Sequence, residues 1–193
     1  MSKENLIIFI QSIFPIAKQR LEEIAGHFKE IQISKNDFLL KEGKICNDYL
    51  FLEEGFMRAF TYDTDGKEVT TGFFSKNQIV FEVASYFLRT PSKENIQALI
   101  DCKGWFITFD QLQFLFHSIP EFREFGRTVL VNGFVFLKQR TLSMINETAE
   151  KRYENLMKTK PEIFQYAPLK NIASYLGITD TSLSRIRKDF LHR

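Results

Sequence analysis

Apolar positions recur at helical spacing over residues 4 to 29, where Leu6, Phe9, Ile10, Ile13 and Phe14 form one stripe. Pro15 breaks that stripe, and a second helix is predicted from Ile16 to about Phe28, with Leu21, Ile24 and Ala25 inward. From Glu30 the period falls to two. Ile31 and Ile33 alternate with Gln32 and Ser34. Short apolar or alternating runs follow at Phe38-Leu39-Leu40, Tyr49 to Leu52, Phe56 to Tyr62 and Val69 to Phe74. Turn residues separate them: Lys35-Asn36-Asp37, Glu42-Gly43-Lys44, Glu53-Glu54-Gly55 and Asp63-Thr64-Asp65-Gly66. Asp65-Gly66 between two such runs is a hairpin signal. With two further runs near Asn95 to Ile100 and Lys103 to Thr108, the pattern predicts about eight strands in a β-roll or barrel.

The helical period returns at Phe109. Asp110 is the expected cap of a short helix with Leu112, Leu115 and Phe116 inward. Pro120 suits the first turn of a long helix running to about Asn146. Phe122, Phe125, Val129 and Phe136 lie on one side of it, and Leu130, Phe134, Leu137, Met144 and Ile145 widen the arc. A helix this broadly apolar has two surfaces to bury, one on the roll and one on a symmetry mate. Residues 147 to 159 form another helix with Tyr153, Leu156 and Met157 inward, and Pro161 to Pro168 reads as a connector.

Leu169 to Lys188 reads as two short helices around a turn at Gly177. Ile172, Leu176 and Ile178 make the apolar side of the first helix and the turn, and Ala173 lets the second helix approach. Leu183 and Ile186 are the inward positions of the second helix. Thr179, Asp180, Thr181, Ser182, Ser184, Arg185, Arg187 and Lys188 remain, short polar groups followed by cations. A helix that enters the major groove of duplex DNA needs that surface. Two packed helices in an all-helical domain with no DNA partner are the plainer reading.

Charge favours the first. From Lys151 onward there are 9 Lys+Arg against 4 Asp+Glu, a net of +5 in a chain whose total is +2, so the preceding residues carry a net of −3. A basic C-terminal module on an acidic body points to nucleic acid. Hydrophobic residues at 44% and 21 phenylalanines are enough for a core without disulfide or metal. Cys46 and Cys102 have no metal-ligand spacing, and a reduced, cytoplasmic setting is expected. The N-terminal apolar run is expected to be an amphipathic helix rather than a signal peptide, and no run approaches the roughly 20 residues of a membrane helix.

The order helix, β-roll, long helix, helix-turn-helix resembles the Crp/Fnr family of bacterial transcription regulators over nearly the whole chain. Its most specific parts are Lys41-Glu42-Gly43 through Gly55, the Asp65-Gly66 turn, Glu82 and the C-terminal helix pair. The resemblance implies an α+β protein in three parts. Residues 1–118 are a double-stranded β-helix (jelly-roll) sensor domain of the cyclic-nucleotide-binding type. Residues 119–146 are a dimerisation helix, and residues 147–193 a helix-turn-helix domain. It further implies a homodimer placing two recognition helices about 34 Å apart on double-stranded DNA, with RNA polymerase as a further partner. Arg185 then corresponds to the residue that reads a guanine edge, Thr179 caps the helix, Ser182 and Ser184 contact phosphate or base, and Arg187 and Lys188 contact phosphate. Asp180 and Thr181 replace the family's usual Arg and Glu, so the target sequence should differ.

The effector site implied for the roll consists of Phe81, Glu82, Ser85, Ser92 and Lys93. Glu82 matches the carboxylate that holds a ribose, but Phe81 stands where a glycine would let backbone approach the ligand. Ser92, Lys93 and Glu94 occupy the place of the arginine that clamps phosphate. A small effector other than cAMP is therefore expected. Two cysteines are too few for an iron–sulfur cluster, and His27, His117 and His192 read as surface or helix-end residues, so no cofactor is expected.

Residues 30 to 108 contain no histidine, which argues against a metal-dependent jelly-roll enzyme. There is no G-x-S-x-G or phosphate loop, and no catalytic or metal-binding residue is assigned. Glu53-Glu54 read as solvated. A sensor module without DNA-binding activity is the main alternative. The chain ends at Arg193, shortly after Phe190, where the family usually adds a β-hairpin wing. Weaker specific binding that depends strongly on dimerisation is therefore expected, with Lys188, His192 and Arg193 making up phosphate contacts.

Overall fold

The computed structural model describes residues 2–191; His192 and Arg193 lie outside them. Helices α1 (Glu4–Ile13) and α2 (Lys18–Gly26) bury Leu6, Ile10, Leu21, Ile24 and Ala25, as their spacing predicts. The strands are β1 (Lys29–Ile33), β2 (Phe38–Leu40), β3 (Asp48–Glu54), β4 (Phe56–Tyr62), β5 (Glu68–Ser75), β6 (Gln78–Val80), β7 (Asn95–Ala98) and β8 (Cys102–Thr108). They form two antiparallel four-stranded sheets, ordered β1-β8-β3-β6 and β2-β7-β4-β5. This is a jelly roll, wound by a chain that alternates between sheets. The β4–β5 hairpin closes at Gly66, whose φ of +75° suits a residue without Cβ.

The roll core holds Leu50, Phe51, Leu52, Met57, Ala59, Val80, Ile96 and Ile107, joined by Leu6, Ile10 and Phe125 from the flanking helices. Its inner faces leave little room: Phe51 and Leu52 have no exposure. Glu53 corrects the solvated reading of the Glu53-Glu54 pair. It is buried, and its Oε1 accepts from Asn5 Nδ2 at 2.9 Å, because α1 lies across that end of β3. Glu54 pairs with Lys103 at 3.4 Å near the surface.

Between β6 and β7 a six-residue helix, α3 (Val83–Leu88), appears that periodicity is too short to predict. Helix α4 (Phe109–Ser118) begins before Asp110. Its cap is Thr108, whose hydroxyl donates to Gln111 Oε1 at 3.0 Å, leaving Asp110 in the first turn, where its charge still suits the helix N-terminus.

Helix α5 (Pro120–Asn146) has Pro120 at its first turn. Its first turns bury Phe122, Phe125 and Gly126 on the roll and α4; the Phe122 and Phe125 rings stack at 5.2 Å, and Phe116 lies 5.3 Å from Phe122. From Leu130 to Gln139 every residue is exposed. The chain then forms α6 (Ala149–Thr159), α7 (Glu162–Tyr166), α8 (Leu169–Leu176) and α9 (Asp180–Leu191). The expected connector thus contains α7, which buries Ile163. Met157, expected inward, is exposed: it lies about 40° beyond Tyr153, at the edge of the face that Ala149, Tyr153 and Leu156 bury. Among the described residues no helix is long and apolar enough to cross a membrane, and no cluster of three metal-ligating side chains occurs.

Candidate nucleic-acid interface and sensor pocket

The C-terminal pair is built on a tight turn. Gly177 ends α8 at φ +67°, with its N–H donating to the Ser174 carbonyl and the Ile178 N–H to the Ala173 carbonyl, at 3.1 and 3.0 Å. Thr179 then caps α9, its hydroxyl accepting from Ser182 N–H at 3.2 Å and donating to Ser182 Oγ at 3.0 Å. Leu183 and Ile186 are buried against Ile172, Ala173 and Leu176, which sets the roll of α9 about its axis.

That roll turns Thr181, Ser184, Arg185 and Lys188 outward. They lie at i, i+3, i+4 and i+7, so one helical face carries them all. Thr179 and Asp180 are exposed at the helix start, and Arg187 and Ser182 are half-buried at its sides. Among the described residues, Ser184, Arg185, Arg187 and Lys188 have no side-chain hydrogen bond or ion pair. Ser182 is occupied by the cap. The arrangement offers a protruding helix with an open guanidinium and ammonium and two free hydroxyls. Such a face has the donors that bidentate base contacts and phosphate contacts need.

The pair is held by two neighbours. Helix α8 lies on the outer face of the β2-β7-β4-β5 sheet, where Phe56 and Phe73 join the cluster of Tyr153, Leu156, Ile172 and Tyr175. The Phe73 and Tyr175 rings are 5.1 Å apart, and Phe56 and Tyr166 5.5 Å. One polar clasp crosses the same contact: Ser174 Oγ donates to Thr70 Oγ1 at 2.9 Å and accepts from Thr70 N–H at 3.1 Å. Thr70 also accepts from Arg58 Nε at 2.9 Å, and Arg58, almost fully buried, pairs with Glu68 at 2.7 Å and lies 4.3 Å over Phe60. Arg58 is enclosed within the β4–β5 hairpin itself, by Thr70 and Glu68 of β5 and by the Phe60 ring. The second neighbour is α5, whose Arg140 donates to the Tyr175 carbonyl at 3.0 Å.

The residues expected around an effector are drawn together but engaged with each other. Glu82 caps α3, its two oxygens accepting from Ala84 N–H at 3.0 Å and Ser85 N–H at 2.6 Å. Ser85 is buried; its hydroxyl accepts from Cys46 N–H at 2.8 Å and donates to the Thr90 carbonyl at 2.6 Å. Ser92 is buried too, and its hydroxyl accepts from Glu94 N–H at 3.0 Å. Phe81 packs its ring 4.9 Å from Tyr49 and 5.4 Å from Tyr86. Lys93 points to solvent, and only its carbonyl is used, by Thr61 at 2.9 Å. Arg89, at φ +56°, is turned onto the Cys46 carbonyl at 2.9 Å and the Phe109 ring at 4.1 Å. Burial pushes the Glu94 carboxyl above its ordinary range, and the Glu82 charge adds to that. The region where a phosphate would sit thus holds two carboxylates and no free cation among the residues expected to bind it, apart from the outward Lys93.

Residues 30–118 match the cyclic nucleotide-binding domain family. The whole fold is shared with bacterial regulators. A Crp/Fnr-family regulator from Eubacterium rectale superposes with a TM-score of 0.71 at 15% identity, covering 91% of this chain and 84% of that one. The c-di-GMP-responsive global regulator CLP of Xanthomonas campestris gives 0.70 at 14% identity, covering 91% and 92%. FixK2 of Bradyrhizobium japonicum gives 0.70 at 15% identity, covering 86% and 85%. No curated protein matches the chain. Residues 30–118 are thus similar to cyclic nucleotide-binding domains, and the fold over most of the chain is the one these regulators share.

Proposed function

We propose that this protein is a non-enzymatic, sequence-specific transcription regulator. It acts in the cytoplasm as a homodimer that reads double-stranded DNA with α9. The observation that carries this reading is the outward face of α9, where Thr181, Ser184, Arg185 and Lys188 stand open while Leu183 and Ile186 hold the helix in place. Arg185 reads a guanine edge, and Arg187 and Lys188 hold phosphates. RNA polymerase is the partner through which a bound dimer would act.

Dimerisation runs along α5. Phe134, Thr141 and Ile145 lie on one line of that helix, flanked by Leu130, Val131, Leu137 and Leu142, and Phe134 and Ile145 are 71% and 76% exposed. A row of this kind requires a partner surface, and a second α5 is self-complementary. The roll senses an effector other than a cyclic nucleotide, because Glu82 is spent on the start of α3, Phe81 packs where backbone would approach a ligand, and Ser92 stands in place of a phosphate-clamping arginine.

Fluorescence polarisation with duplexes recovered by selection from a random pool tests the reading. Specific binding should weaken steeply with salt, by roughly −0.9 in log–log slope for each phosphate neutralised. Arg185→Ala should cost about 1–3 kcal/mol and relax the preference at one base pair. Absence of salt-dependent binding by a dimeric preparation would leave a sensor module without DNA-binding activity.

A further inference from the structure

A cavity of about 250 Å³ lies between α5, α6 and α8, away from the roll interior and from the outward face of α9. Three cations line it, Arg140, Arg152 and Lys160, against one carboxylate, Glu147. Their engagement differs. Arg152 engages all three of its nitrogens: it donates to the Glu147 carbonyl at 2.7 Å and twice to the Leu176 carbonyl, at 3.2 and 3.0 Å, closing two helix ends. Glu147 is held by Asn155 Nδ2 at 3.3 Å. Arg140 donates from one nitrogen to the Tyr175 carbonyl at 3.0 Å, lies 4.3 Å over the Tyr175 ring and also holds that side chain's hydroxyl, while its charge acts on Glu94. Lys160 has no hydrogen-bond acceptor and no ion pair among the described residues; its ammonium lies 4.5 Å over the Phe136 ring.

An ammonium partly withdrawn from water beside a guanidinium is short of counter-charge, which here comes from Glu162 without a direct ion pair. Burial lowers the Lys160 pKa, and the Arg140 charge lowers it further, against the opposing pull of Glu162. An anion between Lys160 and Arg140 would relieve both effects. Its access survives dimerisation. Phe136, Arg140 and Ser143 lie about half a turn round α5 from Phe134, Thr141 and Ile145, so the cavity and the apolar row face opposite ways.

We propose that this cleft binds a small oxyanion, a phosphate- or carboxylate-bearing metabolite, through the unpaired ammonium of Lys160 beside the Arg140 guanidinium. The bound anion ties the end of α6 to α5 beside the C-terminus of α8. It thereby fixes the reading pair on the long helix, as an effector site separate from the roll.

Isothermal titration calorimetry of the full chain with inorganic pyrophosphate, and separately with citrate, tests this. Saturable binding with a dissociation constant below about 1 mM is expected for at least one of them, and which one identifies the anion class. Lys160→Met should weaken it at least tenfold while a thermal melt shows the fold intact. Arg140→Lys, which keeps the charge but loses the fork, should weaken it less. Arg185→Ala should leave it unchanged even if that variant no longer binds DNA. Failure of both anions to saturate would overturn the proposal, as would unaltered affinity in Lys160→Met. Loss of binding in Arg185→Ala would overturn it too, by placing the anion on α9.

Discussion

Replacing Phe134 by Glu puts a charge in the middle of the apolar row on α5. A phenylalanine buries roughly 200 Å² when fully enclosed. At 71% exposure, Phe134 therefore keeps about 140 Å² to hide in a partner. At about 25 cal/mol per Å², complete coverage contributes about 3.5 kcal/mol per protomer and, by symmetry, about 7 kcal/mol per dimer. That figure is an upper bound, and coverage of half the area halves it to about 3.5 kcal/mol, a factor of several hundred in the dimer dissociation constant. Two facing carboxylates add repulsion to the lost burial. Sedimentation velocity over a concentration series reads the constant directly. Phe114→Glu is the control: Phe114 is 59% exposed on α4, outside the row, and its loss should leave association unchanged. Unchanged association in Phe134→Glu would refute the seam. Equal weakening by both variants would show that any surface phenylalanine promotes contact.

Three further outcomes follow from the geometry around α8 and the roll. Gly177→Ala should destabilise by about 1–2 kcal/mol in denaturant melts, because its φ is left-handed and an added Cβ meets the Met144 methyl; a cost below half of that would mean the turn relaxes freely. Ser174→Ala and Thr70→Val should show a coupling energy of about 1 kcal/mol in a double-mutant cycle on unfolding, and additivity would remove the clasp from the docking contact. Glu94→Gln should raise the melting temperature near neutral pH. The folded-state pKa of Glu94 is raised, so its contribution is present below the ordinary value of 4.5 and is lost as pH rises through the folded value. The variant should therefore flatten the stability profile over that window, and identical profiles would show that Glu94 titrates normally.

What could be read from the chain divides by distance. Strands and long helices are written locally, in the alternation of Ile31 and Ile33 or the 3–4 spacing around Leu183 and Ile186, and those elements form where the pattern puts them. Elements of five or six residues, α3 and α7, hold too few turns for a period to register. Burial of polar groups is harder still. Glu53 is covered by Asn5, and Thr70 meets Ser174 across 104 residues, so no neighbouring residue announces either contact. The same holds for Lys160 and Arg140, brought together by three helices. The reading face differs: its exposed line is the complement of two inward positions, and a helical wheel suffices to find it. For the roll, residue types at Phe81 and Ser92 indicate that a nucleotide fits poorly, but not that Glu82 is tied to the start of α3.

The back-to-back faces of α5 make this rod sensitive to its own length. Each inserted residue turns everything beyond it by about 100°. A single insertion between Val129, half-buried on the roll, and Phe134 would swing the cavity-lining face away from α6 and α8, and the apolar row away from its proposed partner, while every side chain stayed the same. Seven inserted residues, nearly two whole turns, would restore both faces and only lengthen the span. With the proposed pairing along α5, a change in the length of this rod would keep both faces aligned only in steps of a helical repeat.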